Sequence, residues 1–290
     1  MMQPDIARRC KNALEAPHAM IYFAPEAEQE FGSLGLKGGR IAYFAGRAAP
    51  MGAVGAGVVA ATFYNFSPRA AAKEIPRAWS IAAPEEIVAA RFRAADTALR
   101  RMLGDEVLTS EAVTESVQLA AEACRACEPA GKPLFAAHAD LEWPEAPHLR
   151  LWHALSLLRE FRGDAHIAAL QAAGITGLQA LVLHTATGEG FTEAAAKMTR
   201  GWSDEEWSDA HEELRAEGLL DTEGTLTTAG KELREEVEAT TDAQSMAPWT
   251  HLGATKVERL VAHGAELSKG LAKAGAFPRE LFAAGSSRRE

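Results

Sequence analysis

Positive charge is in short supply in this chain. Thirty Lys and Arg stand against 40 Asp and Glu, for a net charge of -10, and the arginines are scattered rather than gathered. A field of that sign repels a polyanion at long range, so DNA or RNA would need a local basic patch to override it. None is visible. Apolar runs are also short: none approaches the ~20 residues that span a bilayer, and no apolar leader follows a basic start. These absences predict a cytoplasmic protein with no membrane partner. Cysteine is limited to three residues. Cys124 and Cys127 form a lone CxxC in "AEACRACEPAG", without a second pair or a βαβ context, so they read as small apolar helix residues. HExxH, GxSxG, SxxK and CxxCH are missing too. "GAVGAGVVAATF" suggests a phosphate loop only superficially, since no GK[ST] follows and no strand precedes; it reads as a small-residue helix entry. No metal site is expected, and the cofactor is unknown. Haem on His18 or His166 has no supporting motif.

What is present is an ordinary globular composition, 47% hydrophobic and 24% charged, in 290 residues. That length suits one large domain or two small ones. Alanine is abundant, β-branched runs are rare, and apolar residues recur at spacings of three and four, which predicts a mainly α fold. "PDIARRCKNALEAPHAM" reads as a first helix and "LKGGRIAYFAGRAAPMG" as a second, closing on Pro50 and Gly52. Ser67 followed by Pro68 is a helix start. "APEEIVAARFRAADTALRRMLG" has acids early, arginines late and Gly104 as its stop, and "TSEAVTESVQLAAEACRAC" is a further helix. Four prolines between 128 and 148 mark a crossing loop.

The expected organisation is therefore an N-terminal helical half at 1–127, the loop at 128–148, a second half at 149–247 and a helical tail at 248–290. The tail either packs on its own core or exchanges across a homodimer. "FGSLGLKGGRIAYFAGRAA" can be laid on "LQAAGITGLQALVLHTATG", Gly35 on Gly174 and Gly38 on Gly177, with Ser67 then meeting Ser203. Such a duplication implies two helix-turn-helix-like halves around a pseudo-twofold axis, the first a degenerate winged helix, with a pocket between them.

The second half carries the strongest local pattern. "ITGLQALVLHTATG", "TEAAAKMTR" and "SDEEWSDAHEELRAEGLL" give three helices in helix-turn-helix order. "DTEGTLTTAGKELREE" then predicts a small β-hairpin wing and a return helix, so that this half reads as a winged helix. Its third helix carries Asp204, Glu205, Glu206, Asp209, Glu212, Glu213 and Glu217 against one Arg215. Base and phosphate contacts come mainly from Arg, Lys, Asn, Gln, Ser and Thr. Seven carboxylates read as a solvated face, so DNA is disfavoured as a partner but left open, with the wing "TEGTLTTAGK", Lys197 and Arg200 as its candidate contacts.

With "PHAMIYFAPEA", "GRIAYFAGRAAPMG", "ATFYNFSP", "HLRLWHALSLLREFRGDAHIAAL" and "TRGWSDEEW", the chain resembles the SalK-type actinobacterial helix-turn-helix proteins over nearly its whole length. The resemblance implies the MarR-like label those proteins carry. That label describes a fold and brings no activity residue by residue.

Two neighbourhoods hold more imidazole and phenol groups than packing demands. The first gathers His18, Tyr22, Tyr43, Tyr64 and Asn65, and takes in all three tyrosines of the chain. Tyr22 follows His18 by four residues, so both can share one helix face. A phenol buries its ring yet needs a partner for its hydroxyl, so such tyrosines often line cavities. The second is "LWHALSLLREFRGDAHIAAL", where His153, Ser156 and Arg159 or Glu160 recur at one-turn spacing. Arg162, Asp164 and His166 follow, and Arg162 with Asp164 is placed to cap a break at Gly163. Each of these groups alone reads as a hydrogen-bonded core or surface residue. Together with Arg91 they predict a ligand site. The functions open at this point are a small-molecule-binding protein with a degenerate winged helix, a MarR-like ligand-responsive regulator, and an enzyme of secondary metabolism doing acid-base work with His18 or His166 and Tyr64 or Arg91.

Overall fold

The computed structural model describes residues 5–285. Its helices open with α1 (Ile6–Ala19), α2 (Pro25–Ser33), α3 (Gly39–Ala48), α4 (Ala56–Phe63) and α5 (Pro68–Ile81). Next come α6 (Pro84–Leu108), α7 (Glu111–Cys124), α8 (Pro133–Ala139) and α9 (Pro147–Ala172). The chain continues with α10 (Gly177–Thr185), α11 (Glu193–Arg200), α12 (Asp204–Ala216) and α13 (Thr228–Gln244), and ends with α14 (Ala247–Leu252) and α15 (Ala254–Lys273). No single helix among the described residues is long and apolar enough to cross a membrane. The mainly α class follows from the alanine-rich, three-and-four-spaced pattern.

The chain forms two compact units, each assembled from separate segments. The first contains Met1–Val54, Arg77–Ala165 and Asp242–Phe277. In it α1 lies along α15, α2 packs on α6, and α7 supports α14 and α15. The core between them holds Cys10, Leu14, Leu119, Leu155, Trp249 and Leu260. Gly264 is what lets α15 approach α1: a Cβ there would sit 2.5 Å from Leu14 Cδ2 and 3.0 Å from the Ala13 carbonyl oxygen. α2 begins with Pro25 at its first turn and Glu26 and Glu28 beside it, charges that suit a helix N-terminus. Gly104 breaks α6, at φ 78° and ψ 156°.

α9 runs unbroken through Gly163, so the expected break there is absent. Arg162 and Asp164 do not pair with each other. Arg162 donates to Asp242 Oδ1 at 2.8 Å. The Asp164 carboxylate accepts the amides of Leu134 (3.0 Å) and Phe135 (2.9 Å), and so caps α8 inside the segment expected to be loop.

The second unit contains Gly55–Pro76, His166–Thr241 and Pro278–Glu290. Its α10 and α12 each start on a reciprocal capping box, Thr176 with Gln179 and Ser203 with Glu206. α11 and α12 are joined by the three residues Gly201, Trp202 and Ser203, a helix-turn-helix connection. Trp207, Ala210 and Leu214 of α12 are buried with Leu181, Val182 and Ala196, while the acidic positions face outward.

The β-hairpin wing expected after α12 does not form. The described residues contain no strand, only two isolated antiparallel bridges, Leu220–Leu226 and Phe191–Phe282. The cause is local. Asp221 Oδ1 accepts the amides of Glu223 (2.9 Å) and Thr225 (2.8 Å), which closes a tight turn. Thr227 Oγ1 accepts the Gly230 amide at 3.1 Å and starts α13 at once. Between that turn and that helix there is room for one bridging pair, so the chain makes a turn pinned by buried Leu220 and Leu226 where a winged helix would place a sheet.

Candidate functional site

The first unit collects its polar groups around one cavity. Each arrives at one-turn spacing from a neighbour: His18 at the end of α1 and Tyr22 in the 3-10 turn Met20–Tyr22 that follows it, Tyr43 and Arg47 on α3, and Trp152, Ser156 and Glu160 on α9. Arg91 comes from α6 and His138 from α8.

A hydrogen-bond chain fixes the protons. Ser156 Oγ donates to the Trp152 carbonyl at 2.8 Å, so toward His18 Nδ1, 2.8 Å away, it acts as acceptor. His18 therefore carries its hydrogen on Nδ1, and Nε2 accepts the Tyr22 hydroxyl hydrogen at 2.9 Å. Burial, then Arg159 and Arg91, hold His18 well below the usual histidine range, and burial pushes Tyr22 up. Both groups are neutral at pH 7. The His18 ring also stacks on Trp152, 6.0 Å between centroids and 10° from parallel.

Beside this chain lies a cationic group. Arg47 Nη2 bridges both Glu160 oxygens at 3.1 and 3.0 Å, and Arg159 Nη1 donates to Glu160 Oε1 at 2.8 Å. Burial opposes the Glu160 charge, but Arg159 and Arg47 outweigh it and hold the carboxyl well below its ordinary value. Among the described residues no carboxylate pairs with Arg91. Its Nη1 donates to His138 Nε2 at 2.9 Å, and the His138 Nδ1 hydrogen goes to the Leu134 carbonyl at 2.9 Å. Burial and then Arg91 push His138 down to about 3. Arg91 Cζ lies 4.9 Å from the centre of the Trp152 ring. Its Nη2 is buried without a partner.

Tyr22, Tyr43, Arg47 and Arg91 line a cavity of about 580 Å³ whose other walls are mainly apolar, among them Ile21, Phe31, Leu36 and Ala42. The structure thus brings together His18, Tyr22, Tyr43, Arg91 and Arg159 of the sequence candidates. His153 is buried in the same unit, with its ring against Trp143 and Phe92. Tyr64, Asn65 and His166 belong to the second unit and have partners there. Tyr64 donates to the Ile175 carbonyl at 2.6 Å, and the Asn65 carbonyl accepts the Trp202 indole hydrogen at 2.9 Å. Gly177 fits beneath this corner, where a Cβ would fall 1.9 Å from the Tyr64 backbone carbonyl oxygen. His166 Nδ1 lies 3.0 Å from Thr241 Oγ1.

Arg47 and His138 are the members that sequence reading missed. Arg47 follows Tyr43 by four residues, the same spacing that singles out His18 and Tyr22. His138 falls in the expected loop. No cluster of His, Cys, Asp or Glu that could hold a metal occurs among the described residues.

No curated protein and no solved structure matches the chain. A family pattern described as a helix-turn-helix family matches residues 7–278, and the chain belongs to that helix-turn-helix family.

Proposed function

We propose that this protein binds a small, partly apolar molecule in the cavity of its first unit, and that its helix-turn-helix segment serves structure or partner contact in place of DNA reading. The observation that carries the first part is the convergence of Tyr22, Tyr43, Arg47 and Arg91 on one otherwise apolar cavity of about 580 Å³, a volume suited to a drug-sized ligand. Both ring nitrogens of His18 are engaged, by Ser156 and Tyr22, and His18 is not among the residues that line the cavity, which supports binding over proton transfer as the work of the site.

The second part rests on charge. Asp204, Glu205, Asp209, Glu212 and Glu213 of α12 are exposed, and phosphates would meet them with the same sign. The nearby cations are engaged: Lys197 Nζ bonds Asp204 at 2.8 Å and Glu193 at 3.1 Å, and Arg69 bonds Glu206 at 2.5 Å.

Two measurements on the full chain test this. An environment-sensitive naphthalene dye should bind the protein and lose its binding in Ala42→Trp, which fills the cavity from α3; equal binding by a folded Ala42→Trp protein refutes the site. Fluorescence anisotropy with labelled duplex DNA should show no nanomolar retention at physiological salt. Such retention would instead assign the chain to the MarR-like, ligand-responsive regulators that its sequence resembles.

A further inference from the structure

Resting on the reading that this cavity is the binding site, we infer that its ligand is a singly charged carboxylic acid with a flat apolar body, held by its carboxylate at Arg91.

The charge of the ligand follows from the charges around the cavity. Arg47 and Arg159 share Glu160, and Arg159 also reaches Glu15 at 3.5 Å. Three arginines against two carboxylates leave one positive charge unmatched, and the contacts locate it at Arg91. That residue is 4% exposed. Its partners are the neutral His138 acceptor and the face of Trp152, which tolerate a guanidinium without neutralising it. A buried cation in this state is costly until an anion joins it; Arg91 lines the cavity, and its Nη2 is buried with no hydrogen-bond partner among the described residues. One carboxylate on Arg91 would give each of the three arginines a carboxylate partner. Tyr22 adds no second anchor for an anion, because its hydroxyl hydrogen is committed to His18 and its oxygen can only accept. At the rim, Lys37 and Glu28 are both exposed and opposite in sign, so the entrance adds no net preference.

The shape of the ligand follows from α3. Gly39, Ala42, Tyr43 and Gly46 all line the cavity and recur at i, i+3, i+4 and i+7, one face of the helix. Gly39 and Ala42 have little or no side chain, and the Phe31 ring lies against Gly46, where a Cβ would fall 2.7 Å from its Cζ, so the wall is low in relief and carries two aromatic rings, Tyr43 and Phe31. Gly39 is exposed and Arg47 is buried, so the wall runs inward over eight residues, roughly 12 Å at 1.5 Å per residue. A two-ring body with a terminal carboxylate spans that length and reaches Arg91.

Calorimetric titration of the full chain with 2-naphthoate, 2-naphthamide and 2-naphthyl phosphate tests the inference. The acid should bind at least about tenfold more tightly than the amide, since a charge-assisted pair is at stake. Arg91→Gln should abolish that preference, bringing acid and amide to equal affinity, while Arg91→Lys, which keeps the charge, should retain most of it. If amide and acid bind equally to the wild type, the cavity reading stands and the carboxylate inference falls. A phosphate that binds more tightly than the naphthoate overturns the single charge. If none of the three binds, the cavity reading fails and takes this inference with it.

Discussion

Removing the Glu160 charge is the sharpest test of how the site is held together. Glu160 is 1% exposed, and it takes two hydrogen bonds from Arg47 and one from Arg159. Glu160→Gln keeps the shape and deletes the carboxylate, so Arg47 and Arg159 lose their shared counter-charge inside the protein. Breaking a buried pair from one side costs about 3–5 kcal/mol, because the stranded cation stays desolvated. Glu15 is the control: its side chain is 32% exposed and 3.5 Å from Arg159, and Glu15→Gln should cost less than about 1 kcal/mol. Urea unfolding at pH 7, followed by tryptophan fluorescence and far-ultraviolet circular dichroism, measures both. The pH dependence has a definite sign. A carboxyl held below its unfolded value stabilises the fold above about pH 4.3 and loses that contribution as pH falls further. The gap between wild type and Glu160→Gln should therefore be constant near neutrality and narrow only below about pH 4. A Glu160→Gln protein within about 1 kcal/mol of wild type at pH 7 would refute the claim that this carboxylate organises the arginines.

Two further variants test neighbouring features. His138 stays neutral in the fold down to about pH 3, whereas an unfolded histidine protonates near 6.5, so stability should fall by on the order of 1.4 kcal/mol per pH unit between about 6 and 4. His18 and His153 are buried and likewise lowered and add to the slope, so His138→Gln should reduce it in urea unfolding by about 1.4 kcal/mol per pH unit without abolishing it, and an unchanged slope would show that His138 does not contribute. Asp164→Ala should cost about 1–2 kcal/mol by uncapping α8. Hydrogen exchange should then show the Leu134 and Phe135 amides losing protection ahead of the rest of the first unit; uniform protection would refute the cap.

The parts of this molecule that sequence could reveal are those written in neighbouring residues. The mainly α class, the Ser203–Glu206 box and the His18–Tyr22 pair all depend on contacts within four positions. α2 has a signal as well, in Pro25, Glu26 and Glu28, but a short one that two stronger helices flank. α8 has only Pro133 at its first turn, because its capping carboxylate comes from Asp164, 30 residues beyond Leu134. For the same reason His138 looks like a loop residue, and its pairing with Arg91 stays hidden. Arg47 and Glu160 are 113 residues apart, and nothing local says that they meet. The wing misleads in the opposite way: "TEGTLTTAG" has the composition of a hairpin, but Thr227 commits its hydroxyl to starting α13. Ser67 stands at the expected helix start, yet its hydroxyl has no partner.

The pairing of the first and last long helices has a consequence for biosynthesis. Ala13 and Ser268 are joined by a hydrogen bond across 255 residues, so α1 leaves the ribosome long before its partner exists. At ~5–20 residues per second the wait is on the order of 10–50 s. During that time Cys10 and Leu14 have no α15 to cover them, and a nascent chain stalled before Leu260 would be a substrate for chaperones or proteases.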